Sequence, residues 1–156
     1  MDADTFLSFF SEQRFIRELR ARTKEGALTE MTQVLAGDGE VRNPAVLLEM
    51  IHRRESLGST GLGKGIAIPH GRSTAAGETH VVYARSRKGI DYAAIDGEPC
   101  RSFFMIIAPY ADQRHEYLPL LGKIVELVSE TDVREKLLAV ESFGDFQGVI
   151  REAMGE

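Results

Sequence analysis

Six consecutive apolar residues, Phe103-Phe104-Met105-Ile106-Ile107-Ala108, constrain this chain more than any other segment. A run this short, apolar without alternation, suits a strand buried on both faces, and such a strand needs helices on both sides of its sheet. The rest of the sequence supplies those helices. Leu28, Met31, Val34 and Leu35 recur as one face of a helix that Gly37 ends. Asn43-Pro44 opens another, with Asn as N-cap and Pro at the first helical position. Its apolar face is Val46, Leu47, Met50 and Ile51, and Gly58 is its stop. From Glu116 the period is helical again through Leu118, Leu121, Ile124, Val125 and Val128, and two shorter helices, near 133–140 and 146–154, close the chain. Residues 15–19, 65–68 and 81–84 read as further strands. This order predicts an α/β fold, a three-layer sandwich in which a mixed β-sheet is flanked by helices on both faces. No linker-like stretch interrupts it. The chain reads as a single domain over 1–156, with 1–12 as an N-terminal helical extension.

Charge and cysteine usage narrow the function classes. A formal net charge of −5 and a pI near 5.4 argue against nucleic acid as the main partner, because phosphate backbones call for a basic footprint. The single cysteine, Cys100, excludes an internal disulfide and fits a reducing compartment. The longest apolar run is far too short to span a bilayer, and Met1-Asp2-Ala3-Asp4 lacks the basic n-region of a secretory signal. The expectation is a cytoplasmic protein without direct membrane insertion, reaching any membrane process by docking.

Residues 54–72 carry the chemistry. A charged segment, Arg54-Glu55, gives way to glycine-rich residues, and the apolar run Ile66-Ala67-Ile68 ends in Pro69-His70-Gly71. That places an imidazole in a loop at the C-terminal end of a buried strand, where ligands collect in α/β proteins. Arg54 and Arg72 lie close in sequence, and a guanidinium holds a phosphoryl group through two parallel hydrogen bonds. A neutral imidazole nitrogen is a competent nucleophile near pH 7. His115 opens the last long helix, where its position near the sheet edge could bring it beside His70; an ordinary surface histidine is the equal alternative.

Other readings of the same residues are weaker. Gly58, Gly63 and Lys64 match a phosphate-binding P-loop, but Gly65 stands where a magnesium-ligating Ser or Thr is required. A helix also precedes and a strand follows, the reverse of the P-loop order, so no nucleotide cofactor is assigned. A metal site would recruit His52, His70, His80 and His115, yet no two of them lie at i, i+4, and no metal is assigned. Cys100, with only Arg101 as a basic neighbour, reads as an inert small residue.

Arg54-Glu55, Gly58-Ser59-Thr60-Gly61-Leu62-Gly63 and Gly65-Ile66-Ala67-Ile68-Pro69-His70 closely resemble the active-site signature of the fructose/mannitol-type enzyme IIA domains. These belong to the bacterial phosphoenolpyruvate-dependent phosphotransferase system and include nitrogen-regulatory paralogues. His115, with Leu118 and the helix after it, is a second matching block. The resemblance implies that His70 accepts a phosphoryl group on Nε2 from the histidine phosphocarrier protein HPr, or from its nitrogen-related paralogue. It implies further that Arg54 steadies the phosphoryl oxygens and that His115 hydrogen-bonds or orients the group. The next acceptor would be an EIIB component. In the alternative, regulatory role, the phosphorylation state of His70 would control binding to a transporter or kinase.

Overall fold

A computed structural model describes residues 1–39 and 41–156. Its centre is β6 (Cys100–Pro109), whose apolar run is buried throughout. On one side β6 pairs antiparallel with β5 (His80–Ile90), which in turn pairs parallel with the two-residue β1 (Phe15–Ile16). On the other side two short strands lie end to end along β6, both parallel to it: β3 (Ile66–Ala67) and β4 (His70–Ser73). An antiparallel strand, β2 (Gly61–Gly63), edges β3. The sheet is therefore mixed and six-stranded.

Alternation along β5 and β6 splits the core into two layers. Phe103, Met105 and Ile107 of β6, with Val82 and Ala84 of β5, pack under α2 (Lys24–Gly37) and α3 (Pro44–Ser56). Phe104, Ile106 and Ala108, with Val81 and Tyr83, face the opposite helices. These are α1 (Ala3–Leu7), α4 (Tyr117–Val128), α5 (Thr131–Leu137) and α6 (Phe143–Ala153). The three-layer sandwich is thus the observed architecture. Each long cover on the first face is started by a side-chain cap: Thr23 accepts from the Gly26 N–H at 3.1 Å, and Asn43 accepts from the Val46 N–H at 3.3 Å.

Residues 1–12 carry helix α1 and pack on the rest of the domain, since Phe6, Phe9 and Phe10 are buried and Phe10 packs on Phe146. Other expectations change. In α3 the buried face is Leu47 and Ile51; Val46 is 42% exposed. In α4 the buried face is Tyr117, Leu120, Ile124, Leu127 and Val128, so Leu118, at 63% exposure, points outward. Strand β5 runs on to Ile90, well beyond Ala84, because the polar Arg85 is buried there with its guanidinium donating to the Leu138 and Val140 carbonyls. Those bonds satisfy carbonyls at the end of α5 and anchor it to the sheet.

Candidate active site

His70 does not sit in a loop. The strand that begins at Ile66 breaks at Ile68-Pro69 and resumes as β4, with His70 as its first residue opposite Ile106 of β6. The break is fixed by specific bonds. The Ile68 N–H donates to the Thr60 carbonyl at 3.0 Å, and the Pro69 carbonyl accepts from the Ile106 N–H at 2.9 Å. The Ile68 carbonyl turns to the His70 ring, 2.6 Å from Nδ1. A carbonyl only accepts, so Nδ1 carries the proton, and in the neutral ring Nε2 keeps its lone pair. The half-buried imidazole is thereby held in one tautomer and one orientation.

The ring packs against Tyr117, the first residue of α4, with centroids 6.2 Å apart. Arg72 lies two residues along β4 and so on the same face as His70. Its guanidinium stands 5.0 Å over the Tyr117 ring, a cation–π contact. Burial raises the pKa of the Tyr117 hydroxyl above its ordinary value. The positive charges of Arg72 and Arg54 pull it down, and Asp112 pushes it up. Both arginines therefore act within electrostatic reach of the ring that supports His70.

Arg54 lies in the last turn of α3 and donates to the Gly58 carbonyl at 2.9 Å. Its neighbour Glu55 does the opposite job, turning inward. The buried Glu55 carboxylate accepts from the Thr60 N–H at 3.0 Å and from the Thr60 hydroxyl at 2.7 Å, with Lys24 Nζ 3.2 Å away. Thr60 in turn lies 3.2 Å from the Tyr92 hydroxyl, whose pKa burial drives upward. This cluster clamps the glycine-rich segment whose Thr60 carbonyl sets the Ile68 break. Gly61 then passes so close to the chain that an added Cβ would stand 2.8 Å from the Ala94 Cα, so only glycine fits without a shift. The Gly58–Gly65 segment is thus a backbone turn entering strands, with no helix after it.

His115 is in the loop between β6 and α4, exposed, with φ 52°. Its N–H donates to the Asp112 carbonyl at 2.9 Å, and the Asp112 carboxylate accepts from the Glu116 N–H at 3.1 Å. The helix opens at Tyr117, two residues beyond His115, so His115 precedes the helix. Among the described residues no hydrogen bond or ring contact joins His115 to His70. His52 is half-buried on α3 and His80 is buried at the start of β5, and among the described residues no group of three potential ligands gathers for a metal. Burial pushes the Cys100 thiol up to about 12, which keeps it protonated and inert.

Tyr117 and Glu55 are site residues that sequence reasoning assigned no role. Glu55 had a signal, an acidic residue directly before a glycine-rich turn. Tyr117 had none, because its contact with His70 exists only in the folded chain.

Residues 8–153 match the family model described as phosphoenolpyruvate-dependent sugar phosphotransferase system, EIIA 2. The fructose-specific EIIA component of Haloferax volcanii is 36% identical over 132 residues, covering 85% of each chain. The crystal structure of nitrogen regulatory protein IIA-Ntr from Neisseria meningitidis superposes with a TM-score of 0.84 at 27% identity, over 92% of this chain and 97% of that one. Enzyme IIA-mannitol of Escherichia coli, solved in complex with phosphorylated enzyme IIB-mannitol, shares the fold at a TM-score of 0.75 and 21% identity, over 92% of this chain and 99% of that one. Among the described residues no helix is long and apolar enough to cross a membrane.

Proposed function

The chain belongs to the EIIA type 2 family of the phosphoenolpyruvate-dependent sugar phosphotransferase system, and on that premise we propose that it carries a phosphoryl group on His70 Nε2. The observation that supports this best is the bond from Nδ1 to the Ile68 carbonyl, which leaves Nε2 as the nucleophilic nitrogen. In the loading step the Nε2 lone pair attacks the phosphorus of a donor phosphohistidine in line with its P–N bond. The new P–Nε2 bond forms as the old bond breaks, and that electron pair returns to the donor ring. The donor is HPr or its nitrogen-related paralogue. Arg54, exchanging its Gly58 carbonyl for phosphoryl oxygens, and Arg72, on the same face as His70, neutralise the transferring group, while Tyr117 backs the ring. Such transfer is mainly positioning and electrostatics. His115 supplies a further hydrogen bond from the 110–116 loop. In the unloading step a nucleophile of an EIIB component attacks the same phosphorus.

The test is incubation with phosphoenolpyruvate, enzyme I and HPr, followed by intact-mass measurement. The parent protein should gain one phosphoryl group and His70→Ala none. Undiminished labelling of the variant ends the proposal. The likeness to IIA-Ntr favours a second reading, in which the loaded and unloaded forms differ in affinity for a regulatory target such as a transporter or kinase. Discharge of the loaded protein by an EIIB domain supports the relay. Retention of the phosphoryl group in its presence supports the regulatory reading.

A further inference from the structure

The far end of β5 forms a second polar feature, unrelated to His70. Residues 18–22, between β1 and α2, face residues 86–89 across a groove of about 650 Å³. The two walls are tied together where the Leu19 N–H donates to the Arg85 carbonyl at 2.7 Å. The groove wall is built: the Glu30 carboxylate accepts from the Arg20 and Ala21 N–H groups at 3.0 and 2.9 Å, fixing the loop that carries the basic residues.

Its charge is one-sided in a protein whose net charge is −5. Arg20, Arg22, Arg87 and Lys88 line it, and the one lining carboxylate, Glu18, is already engaged. One Glu18 oxygen lies 3.5 Å from the buried Arg85 Nε, and the other accepts from the Arg87 N–H at 2.9 Å. The Arg87 guanidinium pairs with Glu141, which also holds Arg17. Among the described residues, the Arg20 and Arg22 guanidinium groups and the Lys88 ammonium have no ion-pair partner. The buried Ser86 adds a hydroxyl to the lining.

We propose that this groove binds a small anion bearing two or more phosphate groups, of the size of pyrophosphate or a nucleoside diphosphate. Three unpaired cations on two facing walls offer more positive charge than one phosphate uses, and guanidinium groups grip phosphate oxygens bidentately. The volume lies within the range of small-molecule pockets. The net charge of −5 disfavours an extended polyanion, which favours a compact ligand over nucleic acid or a lipid surface. Val81, opposite Ile106 and so level with His70, is six residues from Arg87, roughly 20 Å along the strand. Occupancy of the groove is therefore separable from chemistry at His70.

Calorimetric titration of the whole chain with ADP, pyrophosphate and inorganic phosphate tests this. ADP and pyrophosphate should saturate one shared site, with phosphate at least tenfold weaker. Arg22→Gln/Lys88→Gln should weaken both at least tenfold, with unchanged melting and unchanged phosphoryl uptake, whereas His70→Ala should bind like the parent. In the parent, pyrophosphate should shift the amide resonances of 19–22 and 86–89, which keeps the test independent of how well the double variant folds. No saturable binding, binding indifferent to the double substitution, binding lost in His70→Ala, or amide shifts confined to other segments would each overturn the proposal. So would tighter binding to an oligonucleotide or to phosphatidylglycerol vesicles that the same double substitution abolishes.

Discussion

Glu55→Gln isolates the clamp behind the glycine-rich segment. The substitution keeps the side chain's shape but leaves one acceptor oxygen where there were two, and removes the charge. In the parent the carboxylate accepts from both the Thr60 N–H and its hydroxyl and pairs with Lys24, whose side chain is 23% exposed. The amide can still accept one of the two Thr60 bonds, so one charge-assisted hydrogen bond is lost, about 1.5–3 kcal/mol. The partly exposed ion pair adds about 0.5–1 kcal/mol. The expected destabilisation is about 2–4 kcal/mol, which for a chain of this length lowers Tm by roughly 5–15 °C. The assay is thermal and urea unfolding of Glu55→Gln, Thr60→Val and the double variant. Because the two side chains share the bonds, Thr60→Val should cost much less in the Glu55→Gln background than alone. Additive costs, or an unchanged Tm for Glu55→Gln, refute the clamp.

Arg54→Lys keeps the charge but loses the planar fork, and phosphoryl uptake measured by rapid quench should slow by roughly a hundredfold or more with Tm nearly unchanged; a low Tm with a normal rate contradicts the role. His115→Ala should still load His70, but with slower transfer in at least one direction; equal rates in both directions remove His115 from the site. Gly71→Ala brings a Cβ against the thioether end of the half-buried Met50, which can swing aside, so urea unfolding should register a loss of no more than about 1 kcal/mol. That loss should largely vanish in a Met50→Ala background. Cys100, its thiol raised to about 12 by burial, should resist alkylation at pH 8 in the folded protein and react on unfolding, as mass measurement would detect.

The central strand and its covers were legible because their signals are local. The run 103–108 has no polar residue to expose, and the Asn43-Pro44 cap fixes the start of α3 by its own hydrogen bond. Strand β4 was not legible. His70-Gly71-Arg72-Ser73 carries no apolar alternation, and it is a strand only because β6 offers it a ladder. The end of β5 was hidden for a related reason: Arg85 reads as surface, and its burial depends on carbonyls more than fifty residues away. The apolar face of α4 was misphased because Leu118 and Val125 share the helix with the buried set while facing out. At the site, His70 and Arg54 announce themselves by residue type beside glycine. Arg72 was legible beside them, but the Tyr117 ring that joins it to His70 is a product of tertiary packing.

If His70 carries a phosphoryl group as proposed, the Ile68 carbonyl also governs how that group departs. A phosphoimidazole is a good donor only if the ring leaves uncharged, since expulsion of an imidazolide anion is far harder. With the proton kept at Nδ1 by a 2.6 Å bond, the ring that separates from phosphorus is a neutral imidazole, and no acid need be recruited at the moment of transfer. On the proposed function, one kink between β3 and β4 thus makes the same nitrogen both an able nucleophile and a ready leaving group, as a carrier running in both directions would require.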